Sequence, residues 1–148
     1  DKVVRQGSGL NVDKKLYVET IVNNNRRLQP VIGKTQLKVG DKVVVRLTVR
    51  LDRTMDFVQL KDQRAACLEP VEVLSGYRNV GDVGCYVAVK DASTDFFFDT
   101  LNKGTYVLEY SYRVDRAGSY EAGIATIQSA YAPEYAAHSA SARYEVSQ

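Results

Sequence analysis

Cys67-Leu68-Glu69-Pro70 is the run in this 148-residue chain that comes nearest to covalent chemistry. A Cys-x-Glu-Gln run can close an internal thioester, in which the thiol is acylated by the glutamine side chain. Here the acyl donor's position holds Pro70, which has no side-chain carbonyl, so the bond cannot form. His138 is the single histidine. A catalytic Ser or Cys would need it as a base, and no nucleophile motif accompanies it. A zinc site would have to draw on Cys67, Cys85 and carboxylates, which lack the short paired spacings of zinc motifs. Tyr135 to Ser141 reads as an exposed small-residue turn with His138 on its surface. Asp91-x-Ser93-x-Asp95, followed by Asp99, outlines a calcium loop. An EF-hand wants Gly at the sixth position and Glu at the twelfth, where this chain has Phe96 and Asn102. These carboxylates read as solvated turn residues. No catalytic residue, metal site or cofactor is expected, and an enzyme is not the reading.

Binding chemistry remains. Arg26, Arg27, Arg46, Arg50 and Arg53 could form a basic stripe, but Asp41, Asp52 and Asp56 interleave. Nucleic-acid surfaces cluster basic charge beside stacking aromatics, so these arginines read as cross-strand ion pairs on a wet face. Among the ten tyrosines, Tyr106, Tyr110 and Tyr112 fall on the core side of a strand, while Tyr77, Tyr131 and Tyr135 fall in loops. Tyr131 and Tyr135 flank Ala132-Pro133-Glu134 and could either present a surface patch or clamp the turn against the body. Phe97 has the opposite parity from Phe96 and Phe98. Tyr131, Pro133, Tyr135 and Phe97 are therefore the candidate interface residues.

The elements that must position these residues are strands. From Tyr106 to Val114 the even positions are Tyr106, Leu108, Tyr110, Tyr112 and Val114, and the odd ones are mostly polar. Successive strand side chains point to opposite faces, so this segment buries one face. Val43, Val45, Leu47, Val49 and Leu51 alternate with Lys42, Arg46, Thr48 and Arg50 in the same way. Further strands are expected at Leu16 to Val22, Gln36 to Val39, Met55 to Lys61, Cys85 to Lys90 and Asp95 to Phe98. Two more are expected at Gly118 to Ser129 and Ser141 to Val146. Asn23-Asn24-Asn25 with Arg26-Arg27 reads as a polar hairpin-like loop, the stretch holding Pro70 and Gly76 as irregular. One short turn is expected between Asp62 and Leu68. Leu101-x-x-Gly104-x-Tyr106-x-Leu108 is the entry pattern of a sandwich strand with a corner tyrosine, whose hydroxyl bonds backbone near the preceding loop. The expectation is a single all-β domain over residues 1–148, an antiparallel β-sandwich of macroglobulin or fibronectin-III type.

The order of motifs carries a resemblance. A Gly104-Thr105-Tyr106 strand is followed by Gly118-x-Tyr120, then by Tyr131-Ala132-Pro133-Glu134-Tyr135 and a closing strand at Ala142 to Val146. Gly9-Leu10-x-Val12 opens the chain, and Leu37-x-Val39-Gly40-Asp41 turns into the long strand after it. Together these resemble the C-terminal macroglobulin-type domain of bacterial alpha-2-macroglobulin-like proteins, over roughly the whole chain. The resemblance implies a non-catalytic packing and shielding domain of a protease-trapping parent in the periplasm or cell envelope. Its partners would be neighbouring domains of that parent chain and, through the parent, proteases. The family's thioester would lie in the preceding helical domain, so Cys67 would not carry it. The alternative is an adhesive or glycan-binding sandwich of a secreted protein.

Composition agrees with a packed domain: 45% hydrophobic and 26% charged residues, with net charge +2. That charge is too small to argue for nucleic acid or an anionic membrane surface. No apolar run approaches the roughly 18 to 20 residues that span a bilayer, so direct membrane insertion is not expected. The start at Asp1, without a signal peptide, suggests a fragment of something longer. Cys67 and Cys85 read as two buried thiols.

Overall fold

A computed structural model describes residues 9–33 and 36–148, and the opening at Asp1 lies outside the described residues. The first half holds β1 (Leu10–Val22), β2 (Asn25–Pro30), β3 (Gln36–Lys38), β4 (Lys42–Leu51), β5 (Met55–Gln63), β6 (Leu68–Pro70) and β7 (Gly76–Val80). The second half holds β8 (Val83–Val89), β9 (Ser93–Leu101), β10 (Gly104–Val114), β11 (Gly118–Ala122), β12 (Ala125–Ser129), β13 (Ala136–His138) and β14 (Ala142–Ser147). Two large sheets form, ordered β2-β1-β4-β10-β6 and β13-β12-β5-β9-β8-β7, with a small sheet β11-β14-β3. All pairs are antiparallel except β3 with β14, which run parallel. The fold is an all-β sandwich, as the alternation predicts.

The core lies between the large sheets. Leu108 sits opposite Leu47, and Tyr110 opposite Val45, on the inner face of the five-stranded sheet. Val43, Val45, Leu47, Val49, Leu108 and Tyr112 are buried there. Tyr106 and Tyr110 are half-buried and pack against the same cluster. From the other sheet Phe96 meets Tyr110 with ring centroids 5.0 Å apart, and Thr94 shares a 2.8 Å hydrogen bond with the Tyr112 hydroxyl. Tyr106 is a corner tyrosine, its hydroxyl donating to the Asn102 carbonyl at 2.8 Å. The Gly118-x-Tyr120 motif repeats the device: the Tyr120 hydroxyl donates to the Ala117 carbonyl at 2.7 Å.

One ion pair crosses this apolar layer. Lys14 Nζ donates to Asp62 Oδ1 at 2.6 Å and to the Gly123 carbonyl at 2.8 Å. The Tyr110 hydroxyl donates to Asp62 Oδ2 at 2.5 Å. A buried charge is tolerated only when paired and hydrogen-bonded, and Asp62 has both forms of support. Burial still pushes its carboxyl upward from the ordinary range, against the pull of Lys14.

Several sequence expectations need correction. The segment Gly118 to Ser129 is two strands in different sheets, β11 and β12, because the chain turns at Gly123. A Cβ at Gly123 would stand 2.2 Å from the Gln63 carbonyl oxygen, so the backbones meet there without room for a side chain. Asn25 to Pro30 is a strand, not a loop. The short turn expected between Asp62 and Leu68 is present, the Leu68 amide donating to the Ala65 carbonyl at 3.0 Å. His138 ends β13 instead of riding an exposed turn, with Nδ1 2.9 Å from the Ser139 carbonyl oxygen. Asp95 is no solvated turn carboxylate: it is buried in β9, paired with Lys90 at 3.0 Å.

Candidate interface

The outer face of the five-stranded sheet carries cross-strand charge pairs. Arg46 lies directly opposite Glu109 in the β4–β10 register and bonds it at 2.5 Å. Its guanidinium also stacks over the Tyr17 ring at 4.7 Å. Glu19 accepts from Arg26 at 2.7 Å and lies 3.2 Å from Lys42. The Arg26 hydrogen bond in particular holds the Glu19 carboxyl below its ordinary range. Arg26 and Arg46 thus make the cross-strand pairs that the interleaved arginines imply, whereas Arg53 pairs with its neighbour Asp52 between β4 and β5, and Arg27 and Arg50 join no ion pair among the described residues.

The outer face of the six-stranded sheet is different. One register row runs Tyr77 on β7, Tyr86 on β8, Phe97 on β9, Gln59 on β5 and Gln128 on β12. Its first three members are aromatic. Tyr77 and Tyr86 meet edge to face with centroids 5.0 Å apart, and Tyr86 lies 6.4 Å from Phe97. Tyr77 is 81% exposed and Phe97 37%. Just before β7, Val71, Val73 and Leu74 are exposed as well. Scattered exposed apolar residues are ordinary, and the contiguous aromatic row is what makes this face the candidate interface.

The aromatic row is held by a tight hairpin. Val80-Gly81-Asp82-Val83 turns β7 into β8 with Gly81 at φ 68°, the first central position of a type II′ turn. A Cβ on Gly81 would stand 2.3 Å from the Val107 carbonyl oxygen. Asp82 donates its amide to that carbonyl at 3.1 Å and accepts from the Val107 amide at 3.0 Å. The hairpin carrying Tyr77 and Tyr86 is thereby pinned to β10.

Tyr131, Pro133 and Tyr135 occupy the β12–β13 connection and do not share the Phe97 row. The Tyr135 amide donates to the Ala132 carbonyl at 2.8 Å, closing a turn. Tyr135 is half-buried under the Arg53 guanidinium, 4.7 Å from its ring centre, and so acts as the clamp. Tyr131 is the patch: it is 77% exposed and meets Phe57 edge to face at 5.0 Å. Phe57 has φ 52°, an uncommon conformation for a bulky residue, and its carbonyl accepts from the Ala130 amide at 2.9 Å. Tyr86 and Phe57 escaped the sequence reading. Tyr77 lies in β7, not in a loop; Val-Gly-Asp-Val at 80–83 is the hairpin signal that could have placed both Tyr77 and Tyr86.

Cys67 and Cys85 are buried free thiols. Burial pushes both upward, Cys85 to about 11, which disfavours the nucleophilic thiolate. Among the described residues, no group of three or more His, Cys, Asp and Glu could hold a metal ion. No helix there is long and apolar enough to cross a membrane.

Residues 9–134 match the family model of the bacterial alpha-2-macroglobulin MG10 domain. The chain belongs to that family. The MG10 match takes in the strands that carry the aromatic row and ends inside the Tyr131–Tyr135 turn. Solved structures agree on the fold of this MG10 domain. Salmonella alpha-2-macroglobulin reacted with methylamine aligns at TM-score 0.74 and 20% identity, over 100% of this chain and 10% of that one. Native Escherichia coli alpha-2-macroglobulin from domain MG7 to the C-terminus aligns at 0.72 and 15%, over 95% of this chain and 24% of that one. Escherichia coli alpha-2-macroglobulin activated by porcine elastase aligns at 0.74 and 15%, over 100% and 14%. The chain thus spans a quarter or less of these relatives. No curated protein matches it.

Proposed function

We propose that this MG10 domain is a non-catalytic packing and shielding domain of a bacterial alpha-2-macroglobulin-like parent, whose business is trapping attacking proteases. The observation that carries the reading is the row Tyr77–Tyr86–Phe97, an aromatic strip on one sheet face. Tyr131, Pro133 and Phe57 form a second, smaller contact. Both seat neighbouring domains of the same chain, and proteases are engaged through the parent. Two relatives of this fold are described as reacted with methylamine and as activated by elastase, which suits a parent that changes state. Such a change is a shift between two packings, and a domain with an aromatic contact face can bias it. The parent's place is the periplasm or cell envelope.

The test is made in the parent protein. Tyr77→Ser with Phe97→Ser should leave this domain folded yet alter the limited-proteolysis pattern and weaken protease trapping. Tyr131→Ser should do the same to a smaller degree. The rival is glycan binding, in which sugars stack on flat aromatic platforms. The 74° angle between Tyr77 and Tyr86 suits that poorly. A glycan array giving a specific ligand for the domain, with normal trapping by the patch variants, would overturn the packing reading.

A further inference from the structure

We propose that the open edge of β2 binds an acidic, extended segment of another polypeptide as an added strand. The proposal does not depend on the packing role above, and it concerns a different surface. β2 is the terminal strand of its sheet, with no strand outside it among the described residues. An edge strand presents unpaired amides and carbonyls and is a template for strand addition.

Which groups are open follows from the turn. Asn23 and Asn24 have φ 53° and 65°, the signature of a two-residue type I′ hairpin. Val22 and Asn25 then close the ladder as a hydrogen-bonded pair, and bonded and non-bonded pairs alternate from there. With Ile21 opposite Arg26, Glu19 opposite Leu28 and Tyr17 opposite Pro30, these three β2 residues turn their backbone polar groups away from β1. Pro30 confirms the phase, because its missing amide falls on the open side where no bond is lost. The Val31 amide confirms it again by donating inward to the Leu16 carbonyl at 2.9 Å. The edge therefore offers the amides of Arg26 and Leu28 and the carbonyls of Arg26, Leu28 and Pro30.

Side chains choose the partner. Between residues 20 and 33 the charged residues are Arg26 and Arg27, with no acid. Glu19 is already shared by Arg26 and Lys42. Arg27 is exposed and joins none of the ion pairs among the described residues. Ile21 and Ile32 are each 62% exposed beside this edge and would cover apolar side chains of an added strand. A second copy of the chain is disfavoured, since edge-to-edge pairing would gather four guanidinium groups along one seam. An acidic strand meets the same charges favourably.

The experiment uses the 148-residue chain and capped hexapeptides alternating Val or Thr with Glu, or with Lys as the control. Hydrogen exchange is followed amide by amide. The acidic peptide should slow exchange at Arg26 and Leu28 by about tenfold or more, leaving the β1-bonded amides of Asn25 and Arg27 unchanged. The lysine peptide should do nothing. Leu28→Pro removes an outward amide that the β1–β2 ladder does not use, and should abolish protection at Arg26. Arg27→Glu, at an exposed position, should weaken peptide affinity about tenfold. Three results would each overturn the proposal: no slowing at these amides, equal slowing by both peptides, or concentration-dependent slowing without peptide, which would assign the edge to a second copy.

Discussion

The two large sheets have the same inner chemistry and opposite outer chemistry. Behind the five-stranded sheet, Arg46–Glu109 and Arg26–Glu19–Lys42 pair charges across neighbouring strands. Behind the six-stranded sheet, Tyr77, Tyr86 and Phe97 answer only one another, and Tyr77 remains mostly in water. A face that has satisfied its own polar groups gains little from a partner. A face with exposed aromatic rings gains apolar burial when covered. The difference teaches that the interface is to be sought behind β7, β8 and β9, with the β2 edge as a separate, polar exception.

The largest expected effect belongs to neither outer face and calibrates both. Asp62→Ala strands the Lys14 ammonium inside the sandwich and should cost about 3–5 kcal/mol in urea unfolding. If it costs no more than a surface change, the inner layer is not the shared foundation assumed here.

Alkaline pH should come next. Burial pushes the Tyr144 hydroxyl up to about 12 from an ordinary value near 10, and raises Tyr110 and Tyr112 as well. A raised folded pKa gives stability that is complete below the unfolded value and lost as pH climbs toward the folded one. Between about pH 10 and 12 each such tyrosine should steepen the loss by about 1.4 kcal/mol per pH unit. Tyr144→Phe should remove one increment of that slope, read from urea midpoints across the range.

Smaller effects separate the faces directly. Tyr106→Phe leaves the Asn102 carbonyl without its donor and should cost about 1 kcal/mol. Glu109→Ala, on the charged face, should cost about 0.2–1 kcal/mol, an effect that shrinks in high salt. Tyr77→Ser with Phe97→Ser should move the stability of the chain by less than about 0.5 kcal/mol, since exposed rings support little within the domain. If the double variant instead destabilises the chain more than Glu109→Ala does, the aromatic row is structural and the contrast between faces fails.

Much of this molecule was legible from local pattern. The alternation in Val43 to Leu51 and Tyr106 to Val114 placed β4, β10 and their buried faces, because a strand's two-residue period is a property of the chain alone. Gly104-x-Tyr106 announced its corner for the same reason: the hydroxyl reaches a carbonyl only four residues away. The candidate site was half legible. Phe97 was marked by its parity, and Tyr131 by its place beside Pro133. Sequence could not say that these two lie in separate patches, nor that Tyr135 is the clamp and Tyr131 the patch, since Arg53 arrives from the β4–β5 connection and Phe57 from β5.

What the sequence determined by itself was strand periodicity, an inner and an outer side for each long strand, and the lack of an acyl donor at Pro70. Tertiary structure alone decided which strands are neighbours. Asp95 reads as a turn carboxylate until β8 and β5 flank it and Lys90 folds over. Tyr77 and Tyr86 are nine residues apart yet become one surface with Phe97 only because β7, β8 and β9 pair in that register. Parity fixes the face a side chain takes, while its neighbours on that face are set by hydrogen bonds between strands distant in sequence.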